Sequence, residues 1–332
     1  MGGLLSNPRF PEIRLARGHY ESFFAKLVHP ADPLGAWIRY TVHKPPGALA
    51  SGSLWFTLFE RGEPPYAVKQ TFAAAETLAP PGEYIRIGES CFAPGSMIGA
   101  AAGLDRSARW ELVVESHEAP YRHLPKPWMY EAVLPRTKLL SPYPAATFGG
   151  TLEVGGRRLE LDGWQGTVGH NWGAQHAERW IWLHAASFAG HDPRTTWFDA
   201  ALGRVKVGPL TLPWIANARL DIDGQTHVLG GPARIRQTQV EETPTSCSFE
   251  LRGSELVLRG NASSGAEEFV GWVYADPDGS EHNAVNCSIA TLTLELDGPQ
   301  GRMSLRTAAS GTYELGMRER DHGIALQPFP DG

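Results

Sequence analysis

Apolar and polar side chains alternate with a period of two along much of this chain, the spacing of strands with one face buried. SLWFTLFE (53–60), EYIRIGE (83–89), ARWELVVES (108–116), LEVGGRRLELDG (152–163), RVKVGPLTLP (204–213) and HVLGGPARIR (227–236) carry the pattern. SCSFELRG (246–253), SELVLRG (254–260), EFVGWVYADPDGSE (268–281) and SIATLTLELDG (288–298) continue it. Gly, Pro, Asn or Asp separates most of these segments, as antiparallel hairpins require. A sustained 3.6-residue period is scarce; HYESFFAKL (19–27) reads as two helical turns. The pattern predicts an all-β chain with few short helices, folded as antiparallel barrels or sandwiches.

Residues 117–146 break the rhythm. Their six prolines argue against regular strands, leaving either a crossover that covers a cavity or a plain surface linker. A faint echo links 22–42 with 180–202: each has an aromatic-led strand, a Pro/Asp turn and a returning strand bearing Trp. It suggests two similar halves, divided as 1–168 and 169–332.

One stretch concentrates chemistry. Residues 169–202 hold Trp172, Trp180, Trp182 and Trp197, four histidines and two aspartates. If 179–188 and 195–203 are strands, Trp180, Trp182, His184 and Phe188 share one face, and Trp197 and Asp199 share another. An extended His170 and Trp172 also point one way, so H-x-W, W-x-W-x-H and W-x-D are expected to converge on one aromatic pocket. Burial there raises the pKa of Asp199, and a neutral acid donates a proton. Indole faces stabilise a cation made by protonating C=C, by roughly 0.5–2 kcal/mol each. Equally, alternate tryptophans build ordinary cores, and an aspartate in a hairpin is commonly solvated or caps a turn.

Composition narrows the alternatives. At 42% hydrophobic and 20% charged, the chain can bury a core. A net charge of −6 without a Lys/Arg-rich block argues against a nucleic-acid partner. Three widely spaced cysteines fit neither a disulfide framework nor a zinc knuckle and suit a reducing, cytoplasmic setting. No apolar run is long enough to span a bilayer, and residues 1–18 lack an apolar signal core, so secretion is not expected. The start does match M-G-x-x-x-[ST], ending on Ser6. Spacings of six, eight and seven between His170, His176, His184 and His191 match no standard metal-ligand pattern, so no metal is expected. Neither G-x-S-x-G, a P-loop nor G-x-G-x-x-G occurs. DPDG (276–279) reads as a hairpin turn, not a calcium loop.

At these residues the sequence resembles the lipocalin-like carotenoid 1,2-hydratases (hydroxyneurosporene synthases), with tocopherol cyclases as more distant relatives. Their H-N-W-G segment, followed about 25 residues on by aromatic-x-Asp, is matched by His170-Asn171-Trp172-Gly173 and Trp197-Phe198-Asp199. GHYESFF (18–24) is similar to the F-E-G-W-Y opening of the cyclases, with Glu21 at the acidic position, and 271–296 to a C-terminal hydratase stretch. The resemblance implies two consecutive lipocalin-like β units and catalytic roles for His170, Trp172 and Asp199, with Asp199 the proton donor. The aromatic two before that Asp is normally Tyr; here it is Trp197, without the hydroxyl. The expectation is a cofactor-independent hydratase or cyclase, with Trp180, Trp182, His184, Glu21 and Asn171 holding an isoprenoid or polyene substrate. A membrane contact would collect that substrate. A non-catalytic carrier of a hydrophobic ligand and a pericyclase of the Diels–Alderase kind are the alternatives on the same fold.

Overall fold

A computed structural model describes residues 7–208, 210–299 and 301–329; the Gly2–Ser6 myristoylation pattern lies outside the described residues. The regular structure is nearly all antiparallel β, 60% of residues in strands against 6% in helix, forming two lipocalin-like units, a nearly closed barrel and a half-barrel sheet. The first sheet runs Tyr66–Phe72, Ser51–Glu60, Leu34–Lys44, His19–Val28, Arg157–Gly173, Thr137–Val154, Arg106–Glu115, Ser96–Gly103, Ser90–Ala93, and then two short strands. The second runs Gln225–Gly230, Ile215–Ile222, Trp197–Arg204, Arg179–Ala185, Gly311–Met317, Glu281–Gly298, Val257–Ser263, Ser246–Arg252, Gln239–Thr243. The nine positions correspond one to one and the chain visits them in the same order. The echo between 22–42 and 180–202 is thus one hairpin occurring in the same place twice. The expected boundary after residue 168 falls inside Arg157–Gly173, which pairs with His19–Val28 as far as Gly173.

Strand parity sets the layout. In His19–Val28, Phe23, Ala25 and Leu27 enter the first core, while Phe24 packs edge-on against Trp182 of the second unit at 5.1 Å. Every residue of this strand is buried. That corrects the helical expectation for 19–27: a strand covered on both faces shows no alternation, and a short apolar run then mimics a helix. Between the units, Trp55 meets Trp272 at 4.8 Å and Trp37 lies beside both. Ile181, Leu183, Phe198, Ala200 and Leu202 fill the second core, so Trp182, His184, Trp197 and Asp199 face out of it, toward the first unit.

Other expectations shift in detail. HVLGGPARIR is a strand only to Gly230; Gly231, at φ 89°, and Pro232 turn the rest into a 3₁₀ helix, Pro232–Gln237. RVKVGPLTLP gives a two-residue hairpin, Lys206–Val207 with Leu210–Thr211. The proline-rich stretch yields a short strand, Tyr121–Arg122, a 3₁₀ turn, Pro127–Tyr130, and the start of Thr137–Val154. That last strand accommodates Pro142 and Pro144 through register shifts between Leu140 and Tyr143 and between Tyr143 and Ala146, since neither proline can donate to the ladder.

Candidate active site between the two units

Asp199 is fully buried at the seam. The Ser141 hydroxyl donates to its Oδ2 at 2.6 Å and the Trp182 indole N–H to its Oδ1 at 3.0 Å. His123 Nε2 lies 3.4 Å from Oδ2 and 3.1 Å from Ser141 Oγ. His184 stands directly opposite Asp199 in the Arg179–Ala185/Trp197–Arg204 ladder and donates from Nε2 to the Pro144 carbonyl at 2.8 Å. The broken register at Pro142 and Pro144 thus accompanies the turn of Ser141 toward the carboxylate and of the Pro144 carbonyl toward His184. Ser141 bridges His123 and Asp199, whereas in a hydrolytic triad the histidine is in the middle.

The protonation state differs from the sequence expectation. Burial pushes the Asp199 pKa up, but His123, through charge and hydrogen bonding, then His184 and the Ser141 hydroxyl outweigh it, holding the carboxyl below the usual aspartate value. Burial also pushes His184 down to about 4, leaving it neutral near pH 7. Asp199 is a carboxylate here, not a neutral acid, because the sequence did not reveal the donors that surround it.

Trp197 is fully buried, with Tyr121 at 6.2 Å and the Arg219 guanidinium 4.7 Å over its ring. Tyr121 lies near enough to Asp199 for the carboxylate to help raise its pKa, after burial, so Tyr121 brings a phenol to a region where Trp197 has none. Lys26 occupies the same seam: its Nζ donates to the Ser310 carbonyl at 2.7 Å, and burial lowers its pKa to about 7.

His170 and Trp172 do not join Asp199. They point from Arg157–Gly173 into the first unit, opposite Glu21 and Phe23. His170 Nε2 donates to Glu21 Oε1 at 2.8 Å, and its ring stacks on Phe23 at 4.0 Å and on Trp172 at 4.4 Å. Glu21 also accepts from the Phe10 and Arg9 backbone N–H groups and from His19 Nε2. Burial works to raise its pKa, but His170 and His19 overcome that and hold it at about 2. The convergence expected for H-x-W fails by parity: its face belongs to the first core, whereas W-x-D looks out of the second. Asn171, on the other face, donates to Thr137 Oγ1 at 3.4 Å.

Trp180 goes elsewhere again. It stacks on His176 at 5.3 Å, donates to Glu314 Oε1 at 2.8 Å, and lies flat over Gly316, where a Cβ would meet the indole at 2.1 Å. His176, Asp276 and His282 place their ligating atoms within 4.8 Å of one another. The 276–279 segment is a turn, as expected, with Gly279 N–H on the Asp276 carbonyl. Two cavities stand out and neither is lined by Asp199: a cleft of about 520 Å³ bordered by Gln70, Arg109, Glu153 and Arg158, and a crevice of about 20 Å³ bordered by Tyr20, Glu21, Arg39 and His176.

His123 and Ser141 escaped the sequence reading, although Y-x-H at 121–123 carries the same two-residue spacing used elsewhere. Asp276 and His282 escaped because they lie about a hundred residues from His176.

No family model matches the chain. Rv0493c, an uncharacterized protein of Mycobacterium tuberculosis (strain ATCC 25618 / H37Rv), is 28% identical over 325 residues, covering 97% of this chain and 92% of its own length. MT0513, an uncharacterized protein of strain CDC 1551 / Oshkosh, matches to the same extent. A structure assigned as AttH (NE1406) from Nitrosomonas europaea is similar at TM-score 0.53 and 13% identity, over 94% of this chain and 97% of that one. CghA with Sch210972 gives 0.53 and 12%, over 90% and 88%. Kievitone hydratase from Nectria haematococca gives 0.49 and 12%, over 95% and 92%. With AttH and CghA this chain shares an architecture of two successive lipocalin-like β units.

Proposed function

We propose that this protein is a cofactor-independent enzyme that protonates a C=C bond of a hydrophobic isoprenoid or polyene at the seam around Asp199, leading to hydration or ring closure. One observation carries the reading: the fully buried Asp199 carboxylate is answered by a histidine, the side chain suited to giving up a proton near neutral pH. His123 is the donor in this step, and Ser141 links it to Asp199. The C=C π pair takes that proton, leaving a carbocation beside the Asp199 carboxylate and the Trp182 and Trp197 rings. Water then adds and returns its proton to the Asp199–His123 unit, or an internal nucleophile closes a ring and the same unit collects the proton released. A proton shared between imidazole and carboxylate is less acidic than a free carboxylic acid, which favours an electron-rich or conjugated double bond. CghA, of the same fold, is a structure with Sch210972, which supports a small organic ligand as substrate.

The segment 121–136, which carries His123, exposes Trp128, Val133 and Leu134. These apolar side chains suit contact with a membrane that supplies the substrate; among the described residues no helix is long and apolar enough to cross one.

The test is Asp199→Asn, assayed by mass spectrometry against conjugated polyenes and prenylated substrates. Loss of product with folding intact is expected, and undiminished turnover overturns the reading. The close packing at Asp199 favours a second reading, in which the polar cluster only docks the two units. It predicts no product from the wild type and a large loss of stability in the variant.

A further inference from the structure

The His176, Asp276 and His282 cluster lies apart from the Asp199 network and is drawn from three segments: the link after Arg157–Gly173, the turn before Glu281–Gly298, and that strand itself. His176 Nδ1 is 2.7 Å from Asp276 Oδ1, and His282 Nδ1 is 3.5 Å from Asp276 Oδ2. The three ligating atoms lie within 4.8 Å of one another, against roughly 3.3 Å for ligands held at about 2.0–2.2 Å around one tetrahedral ion, so a small contraction seats a single divalent cation. The donor set, two imidazoles and one carboxylate, is of the kind that binds zinc and first-row transition metals and leaves a position open.

A further observation points to a ligand. His282 is fully buried, yet neither ring nitrogen has a hydrogen-bond partner, and the buried Nε2 of His176 has none either. Leaving such groups unpaired costs about 1–3 kcal/mol each, and a metal on His282 Nδ1 removes that cost for this nitrogen. Asp276 is steadied from outside: Ser280 Oγ donates to Oδ2 at 3.2 Å and the His176 backbone N–H to Oδ1 at 2.8 Å, the kind of support that orients a metal-binding carboxylate. The 20 Å³ crevice bordered by His176 has room for one water. Stacking of Tyr20 and Trp180 on His176 fixes the ring.

We propose that His176, Asp276 and His282 form a divalent transition-metal site, best suited to Zn²⁺, with one water completing the shell. Because Tyr20 belongs to the first unit and His282 to the second, the ion fastens the link between them. The inference does not depend on the reaction at Asp199.

The experiment takes the full chain, stripped with a chelator, and titrates it with ZnCl₂ and CoCl₂. One equivalent of metal is expected, with the intense visible bands of a four- or five-coordinate Co²⁺ centre. His282→Ala and Asp276→Asn should each lose the bands and weaken binding at least tenfold, while the exposed-loop control His191→Ala keeps both. Absence of the Co²⁺ bands in the wild type, or full retention by both site variants, overturns the proposal. Should a variant fail to fold, X-ray absorption of the Zn²⁺-loaded wild type decides: two imidazoles and oxygen ligands support the site, and any other shell refutes it. Running the titration on Asp199→Asn as well separates this outcome from that of the proposed reaction.

Discussion

Glu21 in the first unit and Asp199 in the second are both buried carboxylates answered by histidines, on hairpins that occupy the same place in the two sheets. Their surroundings differ. Glu21 points inward, where two backbone N–H groups from residues 9 and 10, His19 and His170 satisfy it. Asp199 points out of its own core, and its donors come from Ser141 and His123 of the other unit and from Trp182. A carboxylate saturated by local donors is a fastening. One sharing a proton across a seam between two units can exchange it. On the proposed reading, the duplicated fold separates a holding role from a reacting one.

The comparison breaks first on activity. Asp199→Asn should lower turnover by about 10²–10⁴-fold, the usual contribution of a positioned proton donor or acceptor, while Glu21→Gln stays within a few-fold of wild type below its melting temperature. Equal losses would erase the distinction. Next comes stability. Breaking a buried pair by removing one charge costs about 3–5 kcal/mol, so urea unfolding should place Glu21→Gln well below wild type and Asp199→Asn between them.

The acid limb sharpens the contrast. The folded pKa of Glu21, about 2, lies below its ordinary value of 4.5, so its stabilisation is complete above about 4.5 and drains away as pH falls through 2. Glu21→Gln should flatten that part of the stability curve. Lys26 acts with the opposite sense: its folded pKa is depressed to about 7, so the unfolded chain binds the extra proton and stability rises as pH climbs from 7 toward 10.5. Lys26→Met should remove that slope, measured by thermal unfolding across the range. Smallest of all, Trp128→Ser should reduce co-sedimentation with liposomes a few-fold while leaving turnover of detergent-dispersed substrate unchanged.

Much of this was legible locally. Alternation placed Trp182, His184, Trp197 and Asp199 on the correct faces because i, i+2 parity needs no tertiary knowledge. It failed for HYESFFAKL, which is buried on both sides, and for His170 and Trp172, where parity gives a face but not the chamber behind it. It also missed the charge on Asp199. Its donors, His123 and Ser141, come from a stretch whose prolines disguise a strand, and only the fold brings them within 3.4 Å. The His176–Asp276–His282 meeting is likewise a product of topology.

The His19–Val28 strand serves as a common wall, sending Glu21 and Phe23 to one side and Phe24 and Lys26 to the other. Inserting a single residue there would exchange the two sets, driving an ammonium into the first barrel and a carboxylate into the seam. Evolution can therefore retune either chamber by substitution, but it cannot lengthen or shorten this partition without unmaking both.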